Sequence, residues 1–466
     1  MIIYDKEKIA VTPWVSTHTY FFGEKNSRTY ISNEKLHTYV QLDGISSDLW
    51  YIIVQDNEKE FLDFLAKYNL STDVVAFIND LKSQGLLLVE DLIKSDMAKN
   101  QTENINDEKD KDFIIERNEW LRKNHFMVNL FFELTYRCNL KCIHCYNPKN
   151  SGNIEIPFDK AKQIIDEAYD LGCLSVTVSG GESTTYSRFK DFIKYVRSKR
   201  MSLDIYTNGQ ILSDNDNLYR EIVECYPHQV CLSLYSMDKA MHEKVTDTVG
   251  SYNKTKTVIE NLRKDGVAVQ LKNFLLNINC MDCVGVKDFG LGVGANIVSD
   301  ISLIPTIEGN KKTFKFIVGE EELFKLFVNK DSPLYIGESP NIFDINEHKD
   351  ESLCLGGFNG ISVSPTLDVN VCVSMPMPVG NLNKETLTDI WKGSFDCADN
   401  KLHKWKKLTC GDLKDCYKHE YCKFCHYCAG MGFLENGFLK KSDVLCLQAR
   451  AKQRAYNYLK SKTEKQ

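Results

Sequence analysis

The chain has 466 residues, 43 % of them apolar, which is a length for two or three domains and a composition able to fill buried cores. A formal net charge of -6 argues against a nucleic-acid binder, and neither an export signal at Met1–Lys8 nor an apolar run of membrane-spanning length is present. A cytoplasmic protein is therefore expected, with neither nucleic acid nor membrane as a partner.

Seventeen cysteines are the anomaly. In a reducing compartment clustered cysteines bind metal more often than they form disulfides. Three lie within eight residues near position 140, and seven fall between 397 and 446.

Residues 1 to about 90 read as a small α+β unit. The β-prone stretches Thr19–Phe22 and Thr29–Ile31 flank a turn at Gly23 and predict a hairpin. Phe61, Leu62, Phe64 and Leu65 make a helical stripe. A second helix follows Ser71 as N-cap, with Val74, Phe77, Ile78 and Leu81 on one face and a stop at Gly85 before the apolar strand Leu86–Val89. Residues 97–112 are almost devoid of apolar side chains and predict a linker, or at most a solvated helix.

From about 125 to 310 strands alternate with helices. Strands are predicted at Phe126–Leu134, Leu174–Val178, Ser202–Tyr206, Gln229–Leu234, Val267–Leu276 and Ile301–Ile304, and helices at Asp159–Leu171, 188–199 and 251–264. This rhythm implies a parallel sheet covered by helices, open or curved into a barrel, with its site at the C-terminal strand ends. The region after about 350 is turn-rich and aperiodic; it is expected to lack a large apolar core and to need metal to organise it.

Directly after the first of those strands the spacing is Cys138-x3-Cys142-x2-Cys145, followed by Tyr146. Three thiolates can hold three irons of a 4Fe–4S cube and leave the fourth open to a ligand. A zinc site is the alternative, but zinc wants a fourth protein ligand, and His144 is too close in sequence to fold back readily. The motif resembles that of the radical SAM superfamily, whose enzymes cleave S-adenosylmethionine (SAM) reductively to a 5′-deoxyadenosyl radical. The resemblance implies that Cys138, Cys142 and Cys145 bind the reactive cluster beside an aromatic Tyr146. Gly180-Gly181-Glu182 looks like the family's GGE motif, which holds the methionyl amino group, and Thr207-Asn208-Gly209 looks like its TNG. Alone, either would be an ordinary turn. Ser233 and Lys272 are further candidate SAM contacts, and a solvated lysine is the plain alternative for Lys272.

The later cysteines run Cys354-x17-Cys372, then Cys410-x5-Cys416-x5-Cys422-x2-Cys425-x2-Cys428, then Cys446, eight in all and enough for two further 4Fe–4S clusters. The arrangement resembles the SPASM extension of peptide-modifying radical SAM enzymes. That likeness implies Cys354 and Cys372 for the first auxiliary cluster and Cys446 for the second, with the middle five undistributed. A zinc ribbon is the alternative. Leu367 stands where the family carries a glycine five residues before the second cysteine. Cys397 and the pair Cys280/Cys283 read as bystanders, and Cys173, Cys225 and Cys231 as core thiols.

The first ninety residues resemble the PqqD-like leader-recognition domain of peptide maturases, closest at Gln41–Trp50, against a plain winged-helix-like structural domain. Such domains bind a leader peptide as an added strand. The expected architecture is therefore α/β, a partial (β/α)6 TIM-type barrel. It divides into a winged-helix-like peptide-recognition domain at 1–95, a linker at 96–115, the radical SAM core at 116–320 and a bridging region with the SPASM domain at 321–466. The resemblance implies SAM and three 4Fe–4S clusters as cofactors. It implies a ribosomal precursor peptide and a flavodoxin- or ferredoxin-like reductant as partners. The reaction implied is formation of a Cys sulfur-to-carbon thioether of the sactipeptide or ranthipeptide type. Rivals are carbon–carbon cross-linking, epimerisation or sulfatase maturation. A non-catalytic iron–sulfur or zinc scaffold, or an electron carrier, is the rival of another class.

Overall fold

The computed structural model describes residues 2–4, 7–22, 26–68, 71–89, 108–148, 154–337, 342 and 347–463. Six parallel strands follow chain order across one sheet: β7 (Asn129–Thr135), β8 (Ser175–Gly180), β9 (Ser202–Thr207), β10 (Gln229–Ser233), β11 (Val269–Phe274) and β12 (Asn296–Asp300). The sheet does not close on itself. β12 is its edge, and at the other end β7 pairs in parallel with β13 (Gly360–Val363), which turns back through β14 (Asp368–Asn370) and β15 (Gly380–Asn381).

Strand alternation sorts the side chains. Leu130, Phe132, Val176, Val178, Leu203, Ile205, Val230, Leu232 and Leu271 pack in one core with Ile164, Ile165, Phe192, Ile222 and Ile259 of the outer helices. The opposite parity faces the concave side. There Phe131 meets Tyr206 with ring centroids 5.9 Å apart, and the Lys272 ammonium lies 5.3 Å from the Tyr206 ring. Contacts between β7 and β9 and between β9 and β11 skip a strand, which requires the sheet to curve. The expected partial barrel is what the chain forms.

Two elements differ from expectation. Ile301–Ile304 is not a strand; the last strand is the more polar Asn296–Asp300, selected by its register with Gln270–Phe274 rather than by apolar content. The C-terminal region does build an apolar core. Val363, Val369, Leu382, Leu387, Ile390, Trp391, Leu402 and Trp405 belong to the same buried cluster as the barrel. It was invisible as a pattern because short elements contribute one or two residues each.

At the N-terminus two antiparallel sheets form: β1 (Ile2–Tyr4), β2 (Glu7–Val11) and β6 (Leu87–Val89), and β3 (Val15–Phe22), β4 (Asn26–Asn33) and β5 (Thr38–Asp43). The β3–β4 pair is the expected hairpin. The helices Ile45–Val54, Glu58–Tyr68 and Ser71–Ser83 bury Trp50, Phe61, Val74, Ile78 and Leu81 against this unit. Of the predicted linker, residues 97–107 lie outside the described residues. Residues 108–112 open the helix Glu108–Lys123, whose Phe113, Trp120 and Leu121 pack on Tyr20 and Tyr30.

This unit sits on the closed end of the barrel, where the strands begin. Tyr20 Oη donates to Gly172 O (2.7 Å), Thr17 N to Arg200 O (2.8 Å), and Arg197 donates to Ser16 Oγ and Pro13 O. Glu34 meets His228 at 2.8 Å. Burial opposes charge on both partners. Their mutual attraction outweighs it, holding Glu34 at about 2 and lifting His228 to about 9.

Candidate functional site

The cysteine loop leaves the C-terminal end of β7 and is fastened by backbone to the end of β8. Gly181 N donates to Thr135 O (2.7 Å) and Glu182 N to Arg137 O (2.8 Å). The approach is so close that a Cβ on Gly180 would stand 2.3 Å from Thr135 O, and one on Gly181 2.4 Å from the carbonyl oxygens of Tyr136 and Arg137. Gly180 also adopts φ +130°, open only to glycine. The paired glycines are thus the seat on which the thiol loop rests. Arg137 clamps the same junction through Glu155 and Thr185 O.

Glu182 is buried and its carboxylate is engaged by the protein. Thr184 Oγ1 and Thr207 Oγ1 each donate to Oε1 at 2.6 Å, and Asn208 N donates to Oε2 at 2.7 Å. Burial, the largest influence, raises its pKa against these donors. Its visible work is to tie β8 to the Thr207-Asn208-Gly209 turn. Asn208 in turn donates to Asn139 Oδ1 (2.8 Å) and stands 4.0 Å from Cys138 Sγ. Gly209, at φ +78°, begins the helix Gln210–Asp214.

Cys138 is exposed, and Cys142 and Cys145 are half-buried. Although the Cys138 residue is exposed, its thiol is enclosed: burial first, then Glu182 and Cys145, pushes it up to about 11, and burial, then Cys145 and Cys138, pushes Cys142 up to about 12. These thiols bind metal only by losing protons to it. The Tyr235 hydroxyl lies near Ser233 and Cys142, and Ser233 is in register with Lys272. Tyr146 is enclosed near Glu133, Cys145 and Tyr206. The loop, the two glycines, Asn208, Ser233 and Tyr146 therefore converge at one barrel mouth. Lys272 shares that face but spends its ammonium over Tyr206.

Glu133 was not singled out from sequence. It is 6 % exposed, it faces the lumen on β7, Oε1 has no hydrogen-bond partner, and burial lifts its carboxyl to about 7. A lone acid in an otherwise apolar strand was the available signal. Cys231 is likewise a correction: it is buried, but on the concave face beside Gln270 and Tyr206, because Val230 and Leu232 take the core-facing positions. Cys173 and Cys225 are core thiols as expected, and Cys280 and Cys283 are buried in a satellite core with Leu275 and Phe327.

The C-terminal thiols fall into two groups. Cys372 is raised to about 12 by burial and then by Cys428 and Cys354. Cys425 is raised to about 12 by burial and then by Cys446, Cys416 and Cys422. Cys410 is buried, its thiol 3.8 Å from Ser352 O. A cavity of about 930 Å³ is lined by Cys354, Cys410, Cys416, Cys422, Cys425 and Cys446. None of the seventeen cysteines is in a disulfide, and among the described residues no three His, Cys, Asp or Glu side chains close round a single ion. A cube asks less convergence, since each thiolate ligates its own iron, and the donor set at each of the three places suits one. Leu367 adopts φ +64°, the conformation for which the family's glycine at that position is suited.

Comparison with known proteins agrees with this geometry. Residues 132–281 match the radical SAM superfamily and residues 354–429 match SPASM, an iron–sulfur cluster-binding domain. The chain carries both domains, the make-up of a radical SAM enzyme with a SPASM extension. It is 25 % identical over 340 residues to the antilisterial bacteriocin subtilosin biosynthesis protein AlbA of Bacillus subtilis, covering 69 % of this chain and 71 % of that one. It is 22 % identical over 339 residues to an AdoMet-dependent heme synthase of Methanosarcina barkeri, covering 68 % and 95 %. In fold it is similar to Streptococcus suis SuiB bound to its precursor peptide SuiA, with TM-score 0.52 and 14 % identity over 94 % of this chain and 100 % of that one.

Proposed function

We propose that this chain modifies a ribosomally made precursor peptide, joining a cysteine sulfur to a carbon of another residue as a thioether. The observation that carries the radical chemistry is the three-thiol loop seated on Gly180-Gly181, with Asn208 and Ser233 beside it. When bound there, a 4Fe–4S cube with SAM supplies one-electron cleavage of a sulfonium and, from it, hydrogen-atom abstraction. The protein's part is to hold the loop, present backbone and amide groups to the methionyl end, and exclude water from the lumen.

Cys138, Cys142 and Cys145 take the first cluster. The grouping above supports Cys354, Cys372 and Cys428 for one auxiliary cluster and Cys416, Cys422, Cys425 and Cys446 for the other. Peptide recognition is supported by β5, an outer strand of its sheet with Thr38, Gln41 and Asp43 exposed, to which a leader can add as a further strand. The likeness to the subtilosin protein and to a fold solved with a precursor peptide points the same way. No helix among the described residues is long and apolar enough to cross a membrane, and a reducing cytoplasm suits seventeen cysteines without a disulfide and a flavodoxin- or ferredoxin-like donor.

The test is anaerobic reconstitution with co-expression of any short cysteine-bearing peptide found encoded beside the gene. Expected are about twelve irons per chain, 5′-deoxyadenosine formation, and loss of a hydrogen pair per link with cysteines resistant to iodoacetamide. Zinc in place of iron, or an unchanged peptide, overturns the reading. The heme synthase relative favours a porphyrin substrate instead; tight binding of a porphyrin, with no peptide bound by residues 1–95, would establish that alternative.

A further inference from the structure

The concave face of the six parallel strands carries three acids among the described residues, Asp300, Asp204 and Glu133. Asp300 is exposed at the end of β12 and accepts from Ser302 N (2.7 Å). Asp204 lies toward the closed end, in a small cavity with Ser16, Tyr30 and His228, and accepts from Gln229 Nε2 (3.1 Å). Glu133 is different. It stands two residues before the end of β7, it is almost fully buried, and its Oε1 has no hydrogen-bond partner. The neighbouring strands bring only hydroxyls to this face, Thr177 and Ser179 of β8 and Ser362 of β13. From the cysteine loop come the phenols of Tyr136 and Tyr146, both held above their ordinary value by burial first and by Glu133 next. Cys145 borders Tyr146, and Asp368 borders Tyr136. The strands opposite contribute Tyr206, Cys231 and Lys272, whose ammonium lies over the Tyr206 ring at 5.3 Å. Burial alone sets the acidity of Glu133, lifting it to about 7 with no cation opposing it. Glu182, filled by Thr184, Thr207 and Asn208, shows by contrast what a carboxylate that holds structure looks like in this barrel.

Joining a thiol to a carbon that bears hydrogen removes two hydrogens. In the proposed reaction the carbon loses a hydrogen atom to the adenosyl group released from SAM. The sulfur loses a proton as the carbon–sulfur bond forms, and the one electron left over passes to an oxidised iron–sulfur centre. That proton needs an acceptor inside the lumen, away from bulk water. We propose that Glu133 is the acceptor, its unpartnered Oε1 taking the proton from the peptide thiol. The proposal deepens the peptide-maturase reading and rests on it. A buried acid without donors adds nothing to the fold, because its desolvation goes uncompensated. Groups so perturbed collect where chemistry is done, and a base works best when its own acidity lies near the working pH.

The test uses the full anaerobically reconstituted chain, native, E133Q and E133D, with a cysteine-bearing precursor peptide that the native chain is seen to link. Single-turnover linking, read by mass spectrometry, should fall on the order of a hundredfold in E133Q, while peptide binding and iron content persist. The 5′-deoxyadenosine formed should then exceed the links made. The native rate should rise with pH through about 7, since the deprotonated form accepts, and E133Q should lack that rise. E133D should restore part of the rate and the same dependence on pH. Independently of turnover, the infrared difference between native chain and E133Q should show a protonated-carboxyl band that fades over that pH range. Should E133Q lose iron, the native pH profile and E133D decide the point. E133Q linking at the native rate overturns the proposal, as does a native rate that falls while pH rises through 7, or a carboxyl band absent at every pH. Loss of peptide binding in E133Q at native iron content also overturns it, by making Glu133 a binding group. A native chain that cleaves SAM yet links no cysteine-bearing peptide would instead overturn the functional reading on which this one stands.

Discussion

In the barrel, the three thiols hang from a loop that backbone geometry fixes. Two glycines admit the loop against β8, and Glu182 stitches the next turn to it by two hydrogen bonds, from Thr207 and Asn208, while Thr184 donates two more. In the C-terminal extension, eight thiols hang from short turns, single helical turns and the ends of helices, over a core that is continuous with the barrel but thin. The first region is organised before any metal arrives. The second has a scaffold in Trp391, Leu402 and Trp405, but its outer loops, Cys416 to Cys428, are expected to gain order from what the thiols bind. Damage to the barrel site should therefore abolish chemistry and spare the fold, whereas damage to the extension should cost order as well.

The largest effect is expected from Cys138→Ala, Cys142→Ala or Cys145→Ala. Each should remove about four irons per chain and bring 5′-deoxyadenosine below detection, with little change in far-UV circular dichroism. Unaltered iron content would end the distinction drawn here. Next comes Gly181→Ala. Its methyl would overlap two carbonyl oxygens, so the loop must move, at a cost of about 1–3 kcal/mol and with loss of SAM binding. A native melting temperature and SAM affinity would show that the seat is not needed.

Within the extension, Cys428→Ala and Cys446→Ala should each lower iron by up to about four per chain and broaden the thermal transition, while Cys410→Ala should keep the native iron count. Iron loss in Cys410→Ala would return that residue to the ligands. The Glu34–His228 pair gives a smaller effect with a defined pH window. His228 is raised, so its contribution is whole below its ordinary 6.5 and lost as pH rises through about 9. Glu34 is depressed, so its contribution is whole above its ordinary 4.5 and lost as pH falls through about 2. The junction between the N-terminal unit and the barrel should loosen above pH 9, seen as faster amide hydrogen exchange in β3 and β4, and His228→Ala should flatten that dependence.

The smallest effect is expected from Leu367→Gly. Relief of a positive φ returns about 1 kcal/mol and loss of a buried leucine removes about 1.5–3, so the melting temperature should drop by only a few degrees.

Strong periodicity and covalent spacing were legible from the sequence. The β7–β11 strands, the helices Phe158–Asp170 and Ser251–Lys264, and the hairpin β3–β4 follow from local pattern, which each segment carries within itself. The Cys138-x3-Cys142-x2-Cys145 spacing likewise names its chemistry, because three nearby thiols can satisfy only three corners of a cube.

What the amino-acid order determined alone was thus the kind of site and the strand it follows. Tertiary structure decided the rest: that β12 is polar, that Glu133 and Cys231 face the lumen, that Glu182 is consumed in holding Asn208, and which of the later cysteines lie beside one another. These outcomes depend on groups far apart in the chain meeting through sheet register and curvature, and no local window of sequence contains that information.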